Sequence, residues 1–219
     1  MSRSPKPTRA AWITPSLLLA LTLVPVAAGA ARLVWLATGE VRPDSARFAA
    51  APAVLVLHIL CACAFCVLGA FQFTPGGSRR RPGWHRAAGR LLAPLGLLAA
   101  ILGLWATVLY PPGVNDGELL YGLRLVFGSA MAASLLLGLD ATRRRDFASH
   151  VDWMTRGYAI GLGAGTQVVV FLPWALLVGS TDQLSRALLM GAGWVINLAI
   201  AEGLIRRRRV RPAWRVAGL

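Results

Sequence analysis

Residues 79–110 read RRRPGWHRAAGRLLAPLGLLAAILGLWATVLY. Arginines 79, 80, 81, 86 and 90 precede a stretch, 91–110, that contains no charged side chain. A helix rising 1.5 Å per residue needs about 20 apolar residues to cross a hydrocarbon core of roughly 30 Å. The stretch therefore predicts a membrane span entered from an arginine-rich side. Working outward, apolar runs of similar length recur at 12–38, 49–73, 119–140, 157–179 and 184–205. Basic segments fall at every second connection between them. Arg3, Lys6 and Arg9 lie before the first run, Arg143, Arg144, Arg145 and Arg156 before the fifth, and Arg206 to Arg209, Arg211 and Arg215 after the sixth. With the arginines of 79–90 they account for 18 of the 23 lysines and arginines. The connections around Asn115-Asp116-Gly117-Glu118 and Ser180-Thr181-Asp182-Gln183 carry almost none. The positive-inside rule then predicts an all-α bundle of six transmembrane helices with both termini cytoplasmic. Its expected parts are a tail over 1–11, a helical domain over 12–205 and a basic tail over 206–219. The expected location is a bacterial inner membrane.

Composition agrees. The chain is 56% hydrophobic with a net charge of +14. In a soluble protein that charge would suggest nucleic acid, but here it sits where helices meet an anionic leaflet, so membrane lipids are the expected partner and nucleic acid is not. Trp12, Trp84, Trp153 and Trp214 fall on the expected cytoplasmic side, and Trp35, Trp105 and Trp174 on the other, as interfacial rings do. Trp194 lies mid-run and reads as a packing residue. Cys61, Cys63 and Cys66 all lie in one apolar run, which supports packing rather than a disulfide framework, with a thiolate metal site as the alternative. The first run continues past Ala27-Ala28-Gly29-Ala30-Ala31 to Leu36, longer than a signal core needs, so a retained first helix is expected. Pro75-Gly76-Gly77 and Pro111-Pro112-Gly113 should end the second and third helices, and Pro173 should kink the fifth. Gly161, Gly163, Gly165, Gly191 and Gly193 mark places where helices can approach closely.

Two groups of residues could carry chemistry. His58 lies about 15 Å below the outer start of the second helix, near mid-bilayer, where polar side chains usually face the bundle interior. With Arg32, Arg124, Asp116 and Glu118 it could form an outward-facing pocket; alternatively the arginines snorkel to headgroups and His58 bonds a carbonyl. On the expected cytoplasmic side, Trp84-His85-Arg86 and Arg90 precede the third helix, and His150, Trp153 and Arg156 the fifth. If those helices touch, His85 and His150 could ligate a metal or haem iron, or act as acid and base. The alternative is a basic collar on lipid phosphates. His58 is ~22 Å along its helix from Phe73, too far to share an iron with that pair.

At these residues the chain resembles a family of bacterial membrane proteins, domain of unknown function 2306. The resemblance rests on His58 in a helix closing with Leu68-Gly69-Ala70-Phe71-Gln72-Phe73, on His85-Arg86 and Gly89-Arg90, and on Arg145-Asp146 followed by His150, Trp153-Met154, Arg156 and Tyr158. It spans roughly residues 50–170. In that family's pattern a further arginine falls within the next helix, where this chain has Gln167, which implies one interior charge fewer. The resemblance implies a shared site that includes Gln72 but no activity.

Three functions fit these residues. The first is a redox or electron-transfer protein with one haem b or metal ion at His85 and His150, with Arg86, Arg90 and Arg156 beside an anionic group. The second is a cofactor-free membrane enzyme acting on a lipid-soluble, isoprenoid- or quinone-like substrate, with arginines on its head and a histidine moving protons. The third is a non-catalytic lipid-binding or assembly protein. No phosphate-cradling glycine loop is present, and Ser129, Ser134 and Ser149 lack the glycine elbow of a hydrolase nucleophile.

Overall fold

The computed structural model describes residues 10–39, 46–48, 51–73 and 82–216. The N-tail, Pro75-Gly76-Gly77 and arginines 79–81 lie outside the described residues, as do the side chains of Arg211, Trp214 and Arg215. Seven α-helices and no strand occur among the described residues: α1 Ala10–Thr38, α2 Pro52–Ala70, α3 Pro82–Leu109, α4 Glu118–Arg143, α5 Phe147–Gly161, α6 Gly163–Leu177 and α7 Gln183–Val216. Short 3-10 turns cover Ala46–Phe48 and Phe71–Phe73. Five helices are long and apolar enough to cross a membrane, and α5 with α6, bent by 44°, brings the number to six if counted as one span. Large apolar side chains lie outward, with Leu176 and Leu177 76% and 85% exposed. Lipid solvates such a surface, whereas water would not tolerate it over a whole molecule.

Sequential helices pack side by side, and α7 closes the bundle by lying against α4, α5 and α6, while α1 lies against α2 and α6. The third helix ends at Leu109, before Pro111-Pro112-Gly113, as expected. Between α4 and α5 only Arg144, Arg145 and Asp146 intervene. Arg145 adopts a left-handed φ of 62°, and Asp146 N–H returns to Ala141 O at 2.9 Å. Asp146 then caps α5 by accepting from Ser149 N–H at 3.0 Å. This tight turn sets His150 back against α4.

The core joins Phe65 of α2, Leu92 of α3, Met131 and Leu135 of α4, and Tyr158 and Ile160 of α5. Gly69 lies against the Tyr158 ring, where any Cβ would collide. Tyr158 donates to Cys66 O at 2.7 Å and packs on Phe73 with ring centroids 4.8 Å apart. Several residues that carried the family resemblance are therefore the α2–α5 packing contact. Cys66 donates to Gly161 O at 3.4 Å, a packing role.

Two features differ from the sequence reading, and a third goes beyond it. The run 157–179 is two helices, broken at Leu162 rather than at Pro173, through which α6 continues to Leu177. Asn197 of α7 bridges the break: its Nδ2 donates to Ala159 O at 3.0 Å and its Oδ1 accepts from Thr166 at 2.6 Å. Polar groups at a helix break need such a partner away from water. Next, α7 does not stop at residue 205 but runs on through the arginines to Val216, and Arg209 donates to Asp152 at 2.6 Å. Finally, Pro25 removes the N–H that would normally reach Leu21 O, and Gly165 of α6 closes against that same carbonyl. The first helix is thereby docked into the bundle.

Candidate functional site

At the end of the bundle formed by the α3–α4 and α6–α7 connections, Asp116 gathers three arginines. Arg124 and Arg47 approach its Oδ2 at 3.0 and 3.3 Å, and Arg186 its Oδ1 at 2.9 Å. Gly113 N–H adds a bond to Oδ2 at 3.1 Å. The turn that positions it has Asn115 in the left-handed region, φ 62°, and Asn115 donates to Thr181 O at 2.6 Å, fastening this loop to the α6–α7 connection. The Asp116 side chain is only 4% exposed. Burial works against its ionisation, but the hydrogen bond and charge of Arg124, the Arg186 bond and the Gly113 N–H outweigh it. They hold the carboxyl well below the usual carboxylate range. Beside this hub Phe48 is buried between Arg47 and Arg32, whose guanidinium carbons lie 4.6 and 5.2 Å from its ring centroid. Tyr110 meets Phe48 edge-on at 4.8 Å.

Directly below lies a cavity of about 600 Å³, within the range of small-molecule sites. His58 of α2, Gly103 of α3, Arg124 of α4, Gln167 of α6 and Trp194 of α7 all reach it, with Arg47, Asp116 and Glu118 at its charged end. His58 Nδ1 is 2.9 Å from Ala99 O. A carbonyl can only accept, so Nδ1 carries the proton and the neutral ring keeps its lone pair on Nε2. Gln167 donates to Met190 O at 3.0 Å, and Trp194 stacks on Phe127 at 4.8 Å. A second cavity of about 160 Å³, lined by His58, Cys63, Cys66 and Gly165, lies behind the histidine, towards α1.

The opposite end holds the other sequence candidates. His85 and His150 are each the fourth residue of their helix, α3 and α5 touch, and the two rings lie within electrostatic reach of one another. His150 Nδ1 lies 2.9 Å from Gly138 O and 2.7 Å from Thr142 Oγ1, which again leaves the lone pair on Nε2. Arg156 forms a two-point ion pair with Glu202 and stacks on Trp153 at 4.6 Å. Its charge is thus already matched. Arg86 and Arg90 are exposed, while Gln72 Nε2 is buried without a partner among the described residues. Neither His85 nor His150 lines either cavity described above. No cluster of three or more histidine, cysteine or acidic side chains suited to a metal ion occurs among the described residues.

Of the outer-pocket candidates, His58, Arg124, Asp116 and Glu118 come together around one space, whereas Arg32 stacks on Phe48 outside it. The sequence reading missed Arg47, Arg186 and Tyr110, whereas Trp194 packs as expected and also lines the cavity. A signal for the arginines was present. Outside the basic segments only Arg32, Arg42, Arg47, Arg124 and Arg186 remain. Four of these five meet around Asp116 and Phe48. Cations that depart from the charge asymmetry of a membrane protein mark a site that needs them.

Comparison with curated proteins and with solved structures gives no match. The model of one family, described as predicted membrane proteins of domain of unknown function 2306, matches residues 55–205, which take in His58, His85, Asp116, Arg124 and His150. With most of its length covered by that model, the chain belongs to the family of domain of unknown function 2306, a family of membrane proteins.

Proposed function

We propose that this membrane protein binds and transforms a lipid-soluble molecule in the cavity beside His58, without a resident cofactor. The observation that carries this reading is the fixed histidine ring. Ala99 O holds Nδ1–H, so the Nε2 lone pair is the basic atom of a half-open, largely apolar cavity. A base held in one tautomer at mid-membrane can accept a proton from a bound hydroxyl or carbon acid and return it. The arginines around Asp116 favour a polar head with negative or developing negative charge at the opposite end of the chamber.

The test is to extract purified wild-type protein and His58→Gln with organic solvent and analyse the lipids by mass spectrometry. Wild type should carry a lipid-soluble compound enriched over the bulk membrane, and His58→Gln should carry its unreacted precursor. Extracts of both that merely mirror bulk lipid would overturn the reading. A second reading, haem between His85 and His150, is favoured by their shared level and by the Nε2 left available on His150. An absorption band typical of bis-histidine haem in the same preparation would select it.

A further inference from the structure

Arg47 makes the longest of the three arginine contacts to Asp116. Its Nη1 reaches Asp116 at 3.3 Å and Pro111 O at 3.4 Å, but its Nε is buried and has no partner among the described residues. A buried guanidinium N–H without an acceptor is costly, and native structures leave few such groups. Arg124 likewise spends only Nη1 on Asp116, and both arginines line the cavity. Three arginines share the one buried carboxylate of Asp116, and the other described carboxylates of this end, Glu118 and Asp182, are exposed. Arg47 is held over Phe48, with its guanidinium carbon 4.6 Å from the ring centroid. Below the arginines the walls turn apolar, through Leu55, Phe65 and Met131.

We propose that the molecule bound here is an anionic amphiphile: a phosphate or carboxylate head between Arg47 and Arg124, and an apolar chain running down past His58. This rests on the cavity reading above and specifies its ligand. An oxyanion at that position meets the N–H groups that Arg47 and Arg124 do not spend on Asp116, and takes positive charge that this one carboxylate leaves. Asp116 is a positioning residue: it sets the arginine edges without neutralising them all.

The test uses full-length protein in nanodiscs of zwitterionic lipid, titrated calorimetrically with dodecyl phosphate, dodecanol or inorganic phosphate. Dodecyl phosphate should bind at least about tenfold more tightly than either of the others, the scale of one charge-assisted hydrogen bond. Arg47→Gln and Arg124→Gln should each remove about that factor for dodecyl phosphate and leave dodecanol unchanged. Equal binding of dodecyl phosphate and dodecanol would overturn the anionic head while the cavity reading stands. Inorganic phosphate binding as tightly as dodecyl phosphate would overturn the amphiphile in favour of a free-anion site. If no alkyl probe binds, the cavity reading itself fails. The three wild-type titrations decide the matter even if an arginine variant does not fold.

Discussion

A single carboxylate organises one end of this protein, and its chemistry makes a specific demand on pH. Asp116 is nearly inaccessible and bonded by Arg47, Arg124 and Arg186. Its folded pKa lies below the unfolded value of about 3.9. Between those two values the unfolded chain binds a proton that the folded chain does not, so stability rises with pH there. The contribution is complete above about pH 5 and is lost as pH falls through the folded pKa. Asp116→Asn should therefore lower thermal stability at neutral pH by roughly 3 kcal/mol, the cost of breaking a buried pair from one side. It should also flatten the acid limb of the stability profile. An acid limb as steep as that of wild type would show that other carboxylates govern acid unfolding. The neighbouring N–H groups explain why this residue outranks the more exposed Glu118: only Asp116 is enclosed by donors.

Among the elements, α5 and α6 show what sequence can and cannot convey. The apolar run 157–179 is legible as a span because length and charge are all that a bilayer requires. Its break is not legible, because Leu162 is an ordinary helix former with nearly helical angles, φ −72° and ψ −4°. What bends the chain is tertiary: Phe65 against Gly161, Trp194 against Gly163 and Leu21 against Gly165. The glycines were visible as places of close approach, but these partners lie 31 to 144 residues away, on helices whose neighbours no single sequence specifies. His58 was legible as a costly polar residue that either lines a pocket or bonds a carbonyl, and it does both, whereas Arg47 was hidden in a connection that looked like mere loop. Asn197 stitches the break, so Asn197→Leu, similar in size but unable to bond, should cost about 1 kcal/mol. It should also speed amide exchange at residues 159–166. Unchanged exchange there would mean the bend is held by packing alone.

For the whole molecule, the ion pairs divide between two ends. Arg156 with Glu202 and Arg209 with Asp152 lie at one, and the Asp116 cluster at the other. Successive connections therefore alternate between the ends, as six crossings require. Which end faces the cytoplasm depends on charge that lipid and the membrane potential can still feel. At the Asp116 end the arginines among the described residues are engaged, three on one carboxylate and Arg32 on Phe48. At the other end Arg86, Arg90, Arg143, Arg145 and Arg206 to Arg208 are exposed or partly exposed, without a side-chain ion pair among the described residues. Orientation should follow the uncommitted end, with Arg145 and Arg209 cytoplasmic and Asp116 and Asp182 outside. A reporter active only beyond the cytoplasm should work when fused after Asp116 or Asp182 and be silent after Arg145 or Arg209. Activity after Arg145 with silence after Asp116 would invert the molecule and place the His58 cavity, with its arginines, open to the cytoplasm. Activity after both Asp116 and Arg145 would mean that α4 does not cross, and the six-span bundle would have to be abandoned. Replacing Arg143, Arg144 and Arg145 together by glutamine should weaken the bias and yield mixed reporter activity, because the rule counts basic residues near the ends of spans.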